Sequence, residues 1–158
     1  MQEFTLSKLS LRFPTEEVCL EEIKRLRFPH GIKCVKCKKV TKHYKINNRT
    51  AYSCKYCRNQ VYPLADTIFE KTTTPLRLWF YAMFLMTQTW GQIPAKKMQK
   101  ELGVTYKTAW RMSRDIKFIV AQNNADLLSE SKKVFSWNIF NAIEFKVVHK
   151  KKFMNEKQ

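Results

Sequence analysis

The chain has 158 residues, which is room for one ordinary domain or for two or three very small modules. Its formal net charge of +17 indicates a polyanionic partner, of which nucleic acid is the leading class. An AT-rich coding sequence is a competing source of part of this charge, because 22 of the basic residues are Lys and 8 are Arg. No apolar signal region opens the chain, so we expect a protein of the reducing cytoplasm, associated with the nucleoid.

The first clear element is a helix that begins after Thr15 and ends near Arg27. Thr15 is a suitable N-cap, and Glu16 and Glu17 lie in the first turn, where the helix dipole favours negative charge. Gly31 follows soon after the last basic residues and indicates the end of the helix. We expect this helix to pack against the element that follows it.

Four cysteines then form two Cys-x2-Cys pairs, Cys34 with Cys37 and Cys54 with Cys57, separated by sixteen residues. This spacing is typical of a tetrahedral zinc site in which each pair supplies two thiolates from one tight turn. Two disulfides or four unrelated thiols are the alternatives, but the paired spacing and a reducing compartment favour a metal site. Cys19 stands apart from both pairs. The prediction is one structural zinc, closed by four ligands and therefore without a catalytic role.

Short strands are predicted around the cysteine pairs, over residues 41–46, 50–53 and 60–64, with an Asn-Asn turn between the first two. Pro63 places the third strand at an edge or near its own end. Together these strands and the four thiolates make a zinc ribbon. His43 lies between the pairs, and since four thiolates already complete the site, we interpret it as a surface histidine.

A strongly apolar helix is predicted from Leu76 to Trp90, with Pro75 at its first position. A membrane span is excluded because the segment has about fifteen residues and contains Arg77, whereas a bilayer needs about 20 apolar residues. A buried core helix is the better interpretation.

The next segment reads as a short helix over 94–102, a turn at Gly103, and a longer helix that Thr105 can cap. The longer helix runs to about Ala121 and carries an apolar stripe at three- and four-residue spacing. This order is typical of a helix-turn-helix, whose second helix enters the DNA major groove, although a plain helical hairpin is the competing interpretation. The candidate DNA contacts are Thr105, Tyr106, Lys107, Thr108, Arg111 and Arg114.

With these residues in order, the chain over about 12–128 resembles bacterial insertion-sequence transposases with an N-terminal zinc ribbon, the group related to Merlin elements. The segment Leu102–Met112, LGVTYKTAWRM, is the most specific part of the resemblance. The resemblance implies that the ribbon and the helix-turn-helix recognise the ends of a mobile element as double-stranded DNA. Lys38 and Asp66 stand where that family often has glycine.

The resemblance also implies that an acid-bearing strand of an RNase H-like domain should follow the last helix. Residues 131–137 read SKKVFSW and contain no acid, and the remaining chain is shorter than a catalytic domain. We therefore expect no catalytic residues and no enzymatic activity in this chain, as for a transposase fragment cut short before its catalytic part. An active transposase that is split or frameshifted is one alternative, and a transcription-type or RNA-binding zinc ribbon is another.

The predicted fold class is α+β, a small β ribbon followed by an all-α module. The predicted divisions are 12–70 for the N-terminal helix and ribbon, 75–125 for the DNA-binding helices, and 129–158 for a basic tail. The expected partner is duplex DNA, with no membrane and a possible homo-oligomer.

Overall fold

The computed structural model describes residues 6–89 and 91–123, with side chains up to Ile119 in the last helix. Eight elements follow one another along these residues. They are α1 (Leu6–Arg12), α2 (Glu16–Arg27), β1 (His43–Lys45), β2 (Tyr52–Cys54), β3 (Gln60–Val61), α3 (Leu76–Gln88), α4 (Ala95–Leu102) and α5 (Tyr106–Asn123). The α+β class predicted from the sequence is confirmed. The proposed tail, 129–158, lies outside the described residues.

Helix α2 forms where the sequence predicts it. The hydroxyl of Thr15 accepts a hydrogen bond from the backbone N–H of Val18, which satisfies one of the free donors at the helix start. At the far end, Arg27 donates hydrogen bonds to the carbonyls of Pro63 and Ala65, at 2.7 and 2.6 Å. This guanidinium fixes the chain that leaves the ribbon against the end of α2.

The three short strands form one antiparallel sheet in the order β1-β2-β3. Tyr44 pairs with Ser53, and Ser53 pairs with Gln60, so these three residues lie side by side on one face. Tyr52 belongs to the opposite face and is almost fully buried. Pro63 follows β3 rather than lying within it, because the third strand ends at Val61.

One buried hydrophobic cluster joins the ribbon to the helices. It contains Ile23 of α2, Tyr52 of β2, Trp79 of α3 and Met112 of α5. The aromatic rings pack edge to face within it, as Phe69 does with Trp79 at a centroid distance of 5.5 Å. The division into a 12–70 and a 75–125 unit stays a prediction, and these two stretches share their core.

Helix α3 is the core helix that the sequence indicates, and its buried aromatic residues serve packing. Pro75 is its N-cap, one residue outside the predicted position, and Trp90 lies outside the described residues. None of the described helices is both long and apolar enough to cross a membrane.

Helices α4 and α5 are joined by Gly103, which adopts the left-handed conformation at φ 64°. This residue ends α4 because a glycine reaches that conformation without the penalty that a side chain would bring. The predicted stripe of α5 is buried and faces α4 and α3. Its members are Ala109, Met112, Ile116 and Ile119.

Candidate metal centre and nucleic-acid interface

The two cysteine turns have the same backbone geometry. Lys38 donates its backbone N–H to the carbonyl of Cys34 at 2.9 Å, and Arg58 donates to the carbonyl of Cys54 at 3.0 Å. Lys38 and Arg58 also share the left-handed conformation, at φ 60° and 57°. Each turn thereby directs its two sulfurs toward the other turn.

The four cysteine sulfurs converge on one point. The Sγ atoms of Cys34, Cys37, Cys54 and Cys57 all lie within 4.8 Å of one another, with Cys34 to Cys57 at 3.4 Å and Cys37 to Cys54 at 3.9 Å. A tetrahedral zinc with Zn–S bonds of about 2.3 Å separates its sulfurs by about 3.8 Å. The cluster therefore fits one structural zinc held by four thiolates, as the sequence predicts.

The electrostatics of the cluster favour a bound cation. The backbone N–H of Cys57 and the hydroxyl of Thr41 lower the pKa of Cys54 to about 6. The hydrogen bond that Cys37 shares with the Cys57 sulfur, together with burial, raises the pKa of Cys37 to about 12. Four sulfurs this close cannot all ionise without a compensating charge, and a divalent ion that binds them removes the remaining protons.

His43 and Cys19 stand outside this ligand set. His43 is half-buried rather than exposed, with Nδ1 2.8 Å from the carbonyl oxygen of Thr41. The Thr41 hydroxyl in turn lies 3.2 Å from the Cys54 sulfur. Thr41 and His43 therefore contact the metal-ligand set from outside it and help to orient Cys54. Cys19 is fully buried in the hydrophobic core, and this burial raises its pKa to about 12, which makes it an unreactive packing residue.

The second candidate surface is the side of α5 that faces away from the core. Lys107, Trp110, Arg114 and Lys117 are exposed and recur at helical spacing, so they form one row. The guanidinium of Arg114 lies 5.1 Å from the centre of the Trp110 ring and is hydrogen-bonded to Asp115 at 3.0 Å. We call these four residues the α5 row.

The six residues singled out on α5 differ in exposure. Thr105, Tyr106 and Lys107 are exposed at the start of the helix, as expected. Thr108 is half-buried, and its backbone N–H and hydroxyl both contact the Thr105 hydroxyl, so this pair caps α5. Arg111 is also half-buried, with Nη2 3.4 Å from the Thr74 hydroxyl and Nε buried without a hydrogen-bond partner.

Comparison with known families identifies the N-terminal part of the chain. Residues 14–60 match the transposase zinc-ribbon domain. The match begins just before α2 and ends in β3, so it includes all four cysteines of the metal centre. The transposase-type zinc ribbon is therefore the part of the predicted resemblance that is confirmed.

A curated relative is similar to a longer part of the chain than the zinc ribbon alone. It is an uncharacterized protein in the transposable element ISH50 of Halobacterium salinarum, 27% identical over 103 residues. The aligned region covers 63% of this chain, and the chain spans about a third of that relative (34%). No solved structure matches the chain.

Sequence reasoning missed two members of the α5 row, Trp110 and Lys117. A sequence pattern first suggests that an aromatic residue in the predicted recognition helix is buried. Only the position of Trp110, three residues after Lys107, indicates that it lies on the outer face. Its 49% exposure in the folded chain is large for a tryptophan and marks it as a residue available for contact.

Proposed function

We propose that this chain binds double-stranded DNA in a sequence-specific manner, as the N-terminal part of a transposase that recognises the ends of its mobile element. The single observation that carries the proposal is the α5 row, in which three cations and an exposed tryptophan lie along one helix. The transposase-type ribbon and the transposable-element relative support the biological setting.

The arrangement of α4 and α5 supports a helix-turn-helix role. Helix α4 exposes Lys96, Lys97 and Lys100 while burying Met98 and Leu102, so its outer side is cationic as well. In helix-turn-helix proteins the first helix crosses the phosphate backbone and the second presents its N-terminal residues to base edges. Tyr106 and Lys107 occupy that position here.

The proposed role of each residue in DNA contact follows from its side-chain chemistry. Lys107 at the helix start offers a mobile point charge suited to a phosphate. Arg111 and Arg114 offer planar donor pairs suited to the acceptor edge of guanine, provided that Arg111 exchanges its Thr74 contact for the base. Thr105 and Thr108 set the start of the helix and add short polar contacts.

The test begins with selection of bound sequences from a random duplex pool, followed by affinity measurements on the selected site. Lys107→Ala should lower affinity for all duplexes evenly and reduce the slope of log affinity against log salt by about one. Lys71→Ala is the matched control, because it removes the same charge from a side chain that is 89% exposed on the connector before α3. Equal losses of duplex affinity from both changes would contradict the assignment of duplex binding to α5.

The same measurement separates duplex DNA from its competitors. We expect the selected duplex to bind more tightly than RNA of the same sequence. Preferential binding of RNA would instead support the alternative of an RNA-binding ribbon module.

We further propose that this chain binds DNA without cutting it. Within residues 6–123, leaving out residue 90, the four cysteines are the one group of three or more side chains that could hold a metal ion. Four thiolates leave no open position for phosphoryl-transfer chemistry. Incubation with duplex that contains the selected site and Mg²⁺ or Mn²⁺ should give retention without nicked or joined products, and a metal-dependent product that disappears on Glu144→Gln would contradict this proposal.

A further inference from the structure

The ribbon sheet has one open face, and that face carries aromatic rings. Tyr44 of β1, Ser53 of β2 and Gln60 of β3 lie in a row across the three strands. Tyr62, directly after β3, donates its hydroxyl proton to the Gln60 side-chain oxygen at 2.7 Å and is therefore on the same side. Tyr44 and Tyr62 are each 48% exposed, so neither ring is required for the core.

The spacing of the two rings follows from the sheet. Tyr44 belongs to β1 and Tyr62 follows β3, so the two residues stand about two strand separations apart across the sheet, or about 10 Å, and are offset by about two residues, or roughly 7 Å, along the strands. The bond from Tyr62 to Gln60 restrains one ring in place. Two flat apolar surfaces on an otherwise polar sheet face are suited to flat, apolar ligand groups.

Two lysines lie on the same part of the sheet, and one of them contacts a ring. Lys42 Nζ is 5.4 Å from the centre of the Tyr44 ring. Lys55 donates its backbone N–H to the carbonyl of Lys42 at 2.9 Å, so the two lysines are neighbours across the sheet. Both side chains are exposed. We call Tyr44, Tyr62, Lys42 and Lys55 the open-face cluster.

The chain segment that contains the open-face cluster is strongly basic. Residues 23–65 contain eight lysines and four arginines but neither Asp nor Glu. A zinc bound by four thiolates would contribute a charge of only about −2. The ligand that matches this surface is therefore a polyanion that also offers flat, unpaired apolar faces.

Single-stranded nucleic acid has that combination. Its bases are free to stack on aromatic side chains, while its phosphates pair with lysines. In a duplex the base faces are already stacked on one another, so a pair of exposed rings on a flat sheet adds little to its binding.

We propose that the open-face cluster binds a short segment of single-stranded DNA, with bases stacked on Tyr44 and Tyr62 and phosphates near Lys42 and Lys55. This surface shares no residue with the α5 row. The chain would thus hold a duplex and an unpaired strand on different surfaces, which suits a DNA end whose strands are partly separated.

The experiment measures binding of the full zinc-loaded chain to a short fluorescein-labelled oligothymidylate by fluorescence anisotropy. Oligothymidylate cannot pair with itself, so it reports single-strand binding alone. Tyr44→Ala and Tyr62→Ala should each weaken binding by about 5- to 100-fold, since each removes one stacking surface. Tyr44→Phe should keep near-normal affinity, because stacking needs the ring and not the hydroxyl.

Phe118→Ala is the matched control, because Phe118 is a similarly exposed aromatic residue (46%) on α5 that belongs to neither proposed surface. It should leave oligothymidylate binding unchanged. Zinc content measured for each variant confirms that the ribbon is folded. Unchanged affinity of zinc-loaded Tyr44→Ala and Tyr62→Ala, or equal loss from Phe118→Ala, would overturn the proposal.

The duplex proposal is tested separately. If Lys107→Ala weakens duplex binding while the two tyrosine changes leave oligothymidylate binding intact, duplex binding by the α5 row is supported and single-strand binding by the open-face cluster is contradicted. If only the tyrosine changes weaken their ligand's binding, the single-strand proposal is supported and the duplex proposal is contradicted.

Discussion

The carboxylate of Glu16 in α2 caps helix α3 by accepting a hydrogen bond from the backbone N–H of Leu76 at 2.7 Å. Its second oxygen accepts from the N–H of Arg77 at 3.0 Å. Pro75, the N-cap residue itself, has no side-chain oxygen to offer. A residue sixty positions earlier therefore completes the start of the core helix and fixes α2 against it.

Removal of this cap should destabilise the fold. Glu16→Ala leaves two backbone donors of α3 without their acceptor and is expected to lower the free energy of unfolding by about 1–3 kcal/mol. Glu17→Ala is the control, because Glu17 is exposed in the same helical turn. Urea unfolding of zinc-saturated protein, followed by circular dichroism, provides the comparison, and equal destabilisation by the two changes would contradict the capping role.

The metal centre predicts one zinc per chain. Cys34→Ser or Cys57→Ser should abolish stoichiometric zinc and unfold the ribbon, because structural zinc contributes directly to folding. Cys19→Ala should keep the full zinc content, and alanine is chosen there because a serine hydroxyl would be buried in the core. Elemental analysis of reduced protein checks the prediction, which fails if the soluble wild-type chain carries no stoichiometric metal.

The first cysteine turn, which contains Lys38, offers a substitution that should stabilise the fold. Lys38 is held at φ 60°, a conformation that costs a side chain about 1–2 kcal/mol but costs glycine little. Replacing Lys38 by glycine removes this cost, but part of the benefit is lost because glycine makes the unfolded chain more flexible. Lys38→Gly should therefore raise the free energy of unfolding by about 0.5–1 kcal/mol.

The control for that change is Lys36→Gly in the same turn, at a residue outside the left-handed region. It should destabilise slightly, since glycine there adds flexibility and relieves nothing. Thermal unfolding with excess zinc distinguishes the two variants, and a lower midpoint for Lys38→Gly would show that no strain is stored at this turn.

The buried hydroxyl of Tyr52 links the ribbon to α2. It donates a hydrogen bond to Glu21 at 2.5 Å, and Lys24 pairs with the same carboxylate at 2.6 Å. Partial burial acts to raise the pKa of Glu21, but the hydrogen bonds from Lys24 and Tyr52 outweigh it, and the pKa is lowered. Glu21 is therefore ionised at pH 7, where the bond is charge-assisted.

Tyr52→Phe should accordingly lower the free energy of unfolding by about 1 kcal/mol at pH 7, since one charge-assisted hydrogen bond is lost and Glu21 keeps Lys24. Tyr44→Phe is the control on the open sheet face and should change little. Urea midpoints of the two variants are compared at saturating zinc. A Tyr52→Phe protein as stable as Tyr44→Phe would mean that the bond makes no net contribution.

Arg111 contacts Thr74 in the folded chain, so it must give up this contact if it binds DNA. If it turns from Thr74 to a guanine edge, Arg111→Ala should cost about 1–3 kcal/mol of duplex affinity and relax specificity at one base pair. Thr74→Val removes the intramolecular acceptor and should leave duplex affinity equal or higher. A loss of stability in Arg111→Ala without any loss of duplex affinity would assign Arg111 to the fold alone.

The parts that sequence reasoning predicted correctly are those fixed by neighbours along the chain. The zinc ligands follow from two local turns, the start of α2 from Thr15, and the buried face of α5 from its own periodicity. The cap of α3 by Glu16 and the contact of Arg111 with Thr74 join residues far apart in sequence. Such pairs leave no periodic or spacing signal, so they became visible only in the folded chain. Helix α1 was missed because its seven residues carry neither an acidic first turn nor a clear apolar stripe.

The shared core has a consequence for attempts to transplant the ribbon. Tyr52 of β2 and Phe69 after the ribbon are among the fully buried side chains of the same cluster as Trp79 and Met112. A ribbon grafted from another protein would replace part of the interior of the helical half, not only its metal-binding turns. We expect such chimaeras to require matched substitutions in α2 and α3, and zinc chelation in the native chain to loosen the helices as well as the ribbon.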